Sequence, residues 1–182
     1  MTAQITDTFL FNDDEYSLIG MTEGKLASPE QFGMEPEMIS TACERGFYAT
    51  YELTEKALYL RQLTIQELNN NYQSIGGIKP GSDEYGLNRP TYYGLNEVIP
   101  FTGKIRLAKD LIRDLYIHMG YQKATAFKTV FDITLNEGVM VETKDRSKEM
   151  EQKRGDFKRE YESGAPGSPW IDEAFSLDMD LE

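Results

Sequence analysis

The chain has 182 residues, of which 40% are hydrophobic and 27% charged. That composition predicts one globular domain with a core of its own and excludes a disordered chain. The formal net charge is −12, which disfavours contact with nucleic acid or an anionic membrane surface and favours basic partners.

Thr8–Phe11 and Glu15–Ile19 flank Asn12-Asp13-Asp14. Two short apolar runs about a turn-forming cluster predict a hairpin. Gly24, Pro29, Gly33 and Pro36 then punctuate residues 22–40 as an irregular loop. Gly46–Leu53 and Ala57–Ile65, joined by Thr54-Glu55-Lys56, predict a second hairpin. In its return strand Leu58 and Leu60 alternate with Tyr59 and Arg61, as a half-buried strand requires. Asn69-Asn70-Asn71, Gly76-Gly77, Pro80-Gly81 and Pro90 mark residues 66–94 as a long connection. Connections of that length often carry function.

In residues 95–120, Leu107, Ala108, Leu111, Ile112, Leu115 and Tyr116 recur at helical spacing, with Thr102 as N-cap and Gly120 as stop. This predicts a strand to Phe101 and then a helix, with Arg106, Lys109 and Arg113 on its solvent face. The competing reading pairs Glu97–Phe101 with Lys104–Ala108 across Thr102-Gly103. Lys128–Leu135 and Val139–Thr143 flank Asn136-Glu137-Gly138, and the glycine stands where a three-residue hairpin loop needs positive φ. Asp145 or Ser147 then caps a charged helix to about Glu162, supported by Glu149 four residues before Lys153 and by an apolar stripe of Met150, Phe157 and Tyr161. Its bases, Lys148, Lys153, Arg154, Lys158 and Arg159, alternate with Glu149, Glu151, Asp156 and Glu160, which reads as a solvated face. Gly164-Ala165-Pro166-Gly167-Ser168-Pro169 ends the helix. The expected fold is α+β, a mainly antiparallel sheet of hairpins with about two packed helices. A single domain over 1–163 is followed by an acidic tail, 164–182.

Cys43 is the one cysteine, so no intramolecular disulfide forms and a reducing, cytoplasmic setting is expected. The first residues lack the basic region and apolar run of a secretory signal, and no window is apolar enough for a membrane helix. His118 is the only histidine, which excludes multi-histidine metal sites. A Cys43–His118 thiol pair remains the conceivable nucleophile and base, against the plainer reading of a core cysteine. Asn12-Asp13-Asp14-Glu15 is consecutive, without the alternation of a calcium loop. Phosphate-binding glycine motifs and the nucleophile elbow are absent. No cofactor and no metal are expected.

Thr41-Ala42-Cys43-Glu44-Arg45-Gly46-Phe47, Pro100-Phe101-Thr102-Gly103-Lys104-Ile105 and Tyr116-Ile117-His118-Met119-Gly120-Tyr121-Gln122 resemble phrases in a group of uncharacterised bacterial proteins. These are similar to small acidic immunity proteins of polymorphic toxin systems. The resemblance implies a binding role and carries no catalytic motif. The expected function is therefore a small cytoplasmic binding protein that neutralises a basic protein partner such as a toxin. The alternatives are a nucleic-acid-mimicking inhibitor of the phage type, and a small enzyme using Cys43, His118 or buried carboxylates. Candidate binding residues are Asp13, Asp14 and Glu15 for steering and Tyr48, Tyr51, Tyr92 and Tyr93 as anchors. Strand alternation places about half of such tyrosines in the core.

Overall fold

The computed structural model describes residues 2–22, 26–82, 88–162 and 174–179. In chain order the strands are β1 (Thr8–Phe11), β2 (Asp14–Met21), β3 (Phe47–Leu53), β4 (Leu58–Ile65), β5 (Gly81–Ser82), β6 (Pro90–Tyr92), β7 (Glu97–Val98), β8 (Gly103–Leu111), β9 (Phe127–Asn136) and β10 (Val139–Asp145). One α-helix, α1 (Ser147–Glu162), follows. Strand takes 45% and helix 13%, so the fold is mostly β and the expected α+β class with about two packed helices is wrong.

The three expected hairpins form, β1 with β2, β3 with β4 and β9 with β10. The last is closed by two residues, Glu137 and Gly138 at φ 50° and 81°, because Asn136 pairs with Val139 and is not part of a three-residue loop. The hairpins belong to one 10-stranded sheet of order β10-β9-β8-β2-β1-β3-β4-β6-β5, with β7 beside β4. The sheet is mixed, because β1 pairs in parallel with β3, Leu10 opposite Glu52. It also curls toward closure. Ile99 N–H donates to Leu58 O at 2.8 Å, and Gly138 N–H in the β9–β10 turn donates to Phe101 O at 2.8 Å. The segment after β7 thus joins the first residue of β4 to the last hairpin.

Curling gives the sheet an inner and an outer face. Phe9, Leu18, Tyr51, Leu60, Leu107 and Ile133 fill the inner core. The rings of Phe9 and Tyr51 stack at 4.9 Å, and Phe131 meets Tyr16 edge-on at 6.0 Å. On the outer face Ala108, Ala126, Phe127 and Val130 pack with Met150 of α1 in a second, smaller core. Between these residues lies Asp132, buried, which accepts from Arg106 Nε at 2.6 Å and from Arg146 at 3.1 Å. That carboxylate links β8, β9 and the start of the helix.

The helix expected after Phe101 does not exist; β8 runs there instead, between β2 and β9. Ile105 and Leu107 face the inner core and Ala108 the outer one. A strand buried on both faces loses clean alternation, and its apolar run then passes for helical spacing. The competing hairpin reading had the strand but the wrong partner, since β7 pairs with β4. Thr102 caps no helix; its hydroxyl accepts from Glu137 N–H at 2.8 Å in the neighbouring turn. Arg106 and Lys109 are likewise not an exposed helix face, because Arg106 binds Asp132 and Lys109 binds Asp14 at 2.6 Å.

α1 begins as expected, with Ser147 N–H held by Asp145 Oδ1 at 2.8 Å, and Glu149 meets Lys153 at 3.0 Å. The side chains of Phe157 and Tyr161, Gly24, and the segment 164–169 lie outside the described residues. Residues 174–179 pack back on β2, where Met21 N–H donates to Leu177 O at 2.7 Å. The long 66–94 connection is pinned to the core by Ile75 and Tyr92, and Tyr92 donates its hydroxyl to Gln73 O at 2.6 Å. Among the described residues no helix is long and apolar enough to cross a membrane.

Candidate acidic binding hollow

The parallel pairing of β1 with β3 places the C-terminal ends of both strands at one mouth of the curled sheet. Each strand is followed by a tight turn. In the first, Asn12 and Asp13 adopt φ of 50° and 63°, a conformation that Asn and Asp tolerate well and that suits a two-residue hairpin. In the second, the Thr54 hydroxyl accepts from Lys56 N–H at 3.2 Å and Ala57 N–H at 3.1 Å. These turns and Met140 of β10 enclose a hollow of about 550 Å³. Asp13, Asp14, Glu15, Glu52 and Glu55 line it, with Leu10, Phe11 and Leu53 as an apolar floor.

Two of the five carboxylates are neutralised locally. Lys109 pairs with Asp14 at 2.6 Å, and Arg61 pairs with Glu52 at 2.6 Å while lying over the Tyr59 ring. Asp13, Glu15 and Glu55 have no cationic partner among the described residues. The hollow therefore presents excess negative charge above an apolar base.

The expected acids Asp13, Asp14 and Glu15 are thus brought together, all exposed. The expected tyrosines are not among them. Tyr51 and Tyr92 are fully buried and cannot anchor a partner on the folded chain. Burial pushes the Tyr51 hydroxyl well above its ordinary pKa and that of Tyr92 up to about 12. Tyr48 and Tyr93 are half-buried outside the hollow. Sequence reasoning missed Glu52, Glu55 and Met140. Glu55 stands in a turn that the sequence does predict, but no local signal shows two turns converging.

The thiol and the buried carboxylates serve the fold. Cys43 is 1% exposed, its thiol donates to Phe47 O at 3.4 Å, and burial pushes its pKa up. His118 is exposed and meets the Tyr116 ring edge-on at 4.8 Å. Asp7 accepts from Arg45 at 2.5 Å and from Ala49 N–H at 2.8 Å. Glu67 accepts from the Asn69 and Asn71 backbones at 2.8 and 2.6 Å, ordering their loop. Among the described residues no three His, Cys, Asp or Glu side chains converge as a metal site.

A larger hollow of about 740 Å³ lies on the outer face, lined by Arg106, Lys123, Arg146 and Lys153 with Asp178. Arg106 and Arg146 are spent on Asp132, and Lys153 on Glu149. Arg106, Arg146 and Lys153 therefore belong to the network that docks α1. Compared with protein-family models, with curated proteins and with solved structures, the chain matches none.

Proposed function

We propose that this chain is a cytoplasmic binding protein of the immunity or inhibitor type, which captures a basic protein partner at the acidic hollow. The supporting observation is the convergence of five carboxylates over Leu10, Leu53 and Met140 at one mouth of the sheet. A rim of charge around an apolar base suits a protein contact, in which charge sets encounter and desolvated apolar groups set residence. Concentration of the acids at one mouth suits a compact basic patch better than a nucleic-acid groove, whose mimic needs carboxylates regularly spaced. The lone buried cysteine suits a reducing compartment.

The test uses the partner that co-purifies with the chain from its own cells, isolated and returned to the pure protein. The expected partner is basic, and Asp13→Asn combined with Glu15→Gln and Glu55→Gln slows its association. A partner that is itself acidic, or binding untouched by the triple change, contradicts the reading.

A further inference from the structure

The sheet ends on one side in β5, two residues long, and on the other in β10, seven residues long. Short terminal strands protect an edge; a long one offers unpaired backbone to another chain. Among the described residues β9 is the sole strand beside β10. Val139 and every residue from Val141 to Asp145 are exposed, Val141 at 60%. A bulge between Met140 and Glu142 interrupts the pairing with β9, after which Glu142 to Asp145 pair regularly.

The direction of the backbone groups follows from two hydrogen bonds. Arg146 N–H donates to Val130 O at 2.8 Å, so Val130, Asp132 and Thr134 of β9 turn their amides toward β10. Their opposites, Lys144 and Glu142, turn inward to meet them. On the far side Lys104 O accepts from Thr22 N–H at 2.9 Å, which turns Ile105 toward Ile133 and leaves the same β9 residues for β10. Both routes agree that Thr143 and Asp145 direct their N–H and C=O groups outward.

We propose that this edge pairs, antiparallel and about a two-fold axis at Thr143, with β10 of a second copy of the chain. Thr143 then faces its own counterpart in a hydrogen-bonded pair. Glu142 faces Lys144 of the other copy, twice, in the closer non-hydrogen-bonded pairs where side-chain contact is strongest. Neighbouring two-fold registers fail. Centring on Glu142 or on Lys144 sets like charges face to face, and centring on Asp145 opposes two aspartates and sets Lys144 against Arg146. Centring on Val141 leaves Glu142 opposite Met140 and Lys144 unpaired. The strand is thus self-complementary in one register, as an isologous contact requires. Repulsion between two chains of charge −12 opposes the encounter, but beyond about 8 Å it is screened at physiological ionic strength.

The experiment is sedimentation equilibrium of the full chain at physiological salt over a range of concentrations. The expected mass rises from 20.8 kDa to twice that value. Lys144→Glu alone, or Glu142→Lys alone, turns two attractive pairs into repulsive ones and weakens the dimer by roughly tenfold or more. The double reversal Glu142→Lys with Lys144→Glu recreates both attractive pairs and restores dimerisation. Thr143→Pro removes an outward N–H that the fold does not use. It abolishes the dimer while the far-UV spectrum and melting temperature stay near the parent's. A single-chain mass at every concentration overturns the proposal. So does a dimer indifferent to the single reversals, or single reversals that the double one fails to rescue.

Discussion

The Cβ that Gly138 lacks shows how one residue can hold two parts of the fold at once. Its φ is 81°, and a Cβ there falls 2.5 Å from Ile99 O. The left-handed conformation alone costs a non-glycine residue about 1–2 kcal/mol, and the backbone clash adds to it. Gly138→Val therefore lowers stability by more than about 1 kcal/mol, read as a shift in denaturant midpoint. Gly138→Ala pays most of the same cost, because the clash begins at Cβ. The positive φ is legible in the sequence, since a tight turn ending in glycine between two strands demands it locally, although the turn that forms is the two-residue Glu137-Gly138 and not the three-residue loop expected. The clash with Ile99 is not, since it depends on how the sheet closes. Cys43 gives a second test at this scale. Cys43→Ala lowers stability by about 1 kcal/mol, the cost of a small buried void, and the native thiol reacts slowly because burial keeps it protonated. Fast labelling of the native protein contradicts the structural role.

Among the elements, β8 and α1 depend on each other through Asp132. Two guanidiniums converge on this buried carboxylate, one from β8 and one from the residue before α1. Asp132→Ala leaves buried positive charge uncompensated and costs about 3 kcal/mol or more. The loss is expected in global unfolding, because Arg106 sits in the middle of the sheet. Glu149 extends the network. Hydrogen bonds from Arg146 and then Lys153 hold its carboxyl down to about 2. A pKa lower in the folded chain than in the unfolded one stabilises fully above the ordinary glutamate range, and the effect is lost as pH falls toward 2. Glu149→Gln accordingly lowers the melting temperature at neutral pH, and the two curves converge near pH 2. Parallel curves over that range contradict the assignment. Strands of the three hairpins are legible because their partners are sequence neighbours. β8 is not, because its partners are distant and both its faces are covered, so the Leu107–Ala108 and Leu111–Ile112 doublets imitate a helix.

For the whole molecule, the decisive feature is nonlocal. Nothing near Asp13 or Glu55 announces that their turns share a mouth; that follows from the parallel β1–β3 pair, which only the complete sheet order creates. The sequence therefore shows the acids and the turns but not the hollow, and two of its four tyrosine anchors fail because Tyr51 and Tyr92 are needed in the core. The hollow's two kinds of wall should act on different rate constants. Asp13, Glu15 and Glu55 are exposed and remain solvated, so each ion pair with a partner contributes little to affinity once formed. In the proposed capture, their joint field instead attracts a basic partner before contact. Neutralising all three should cut the association rate roughly tenfold at low salt and much less at high salt, with dissociation nearly unchanged. Met140 is half-buried against the inner core and faces the hollow. Met140→Ala should hasten dissociation and leave association and its salt dependence in place, since it carries no charge. Stopped-flow association and surface-based dissociation with the isolated partner separate the two effects. If the acid substitutions act mainly on dissociation, or Met140→Ala mainly on association, capture does not proceed through this hollow as described.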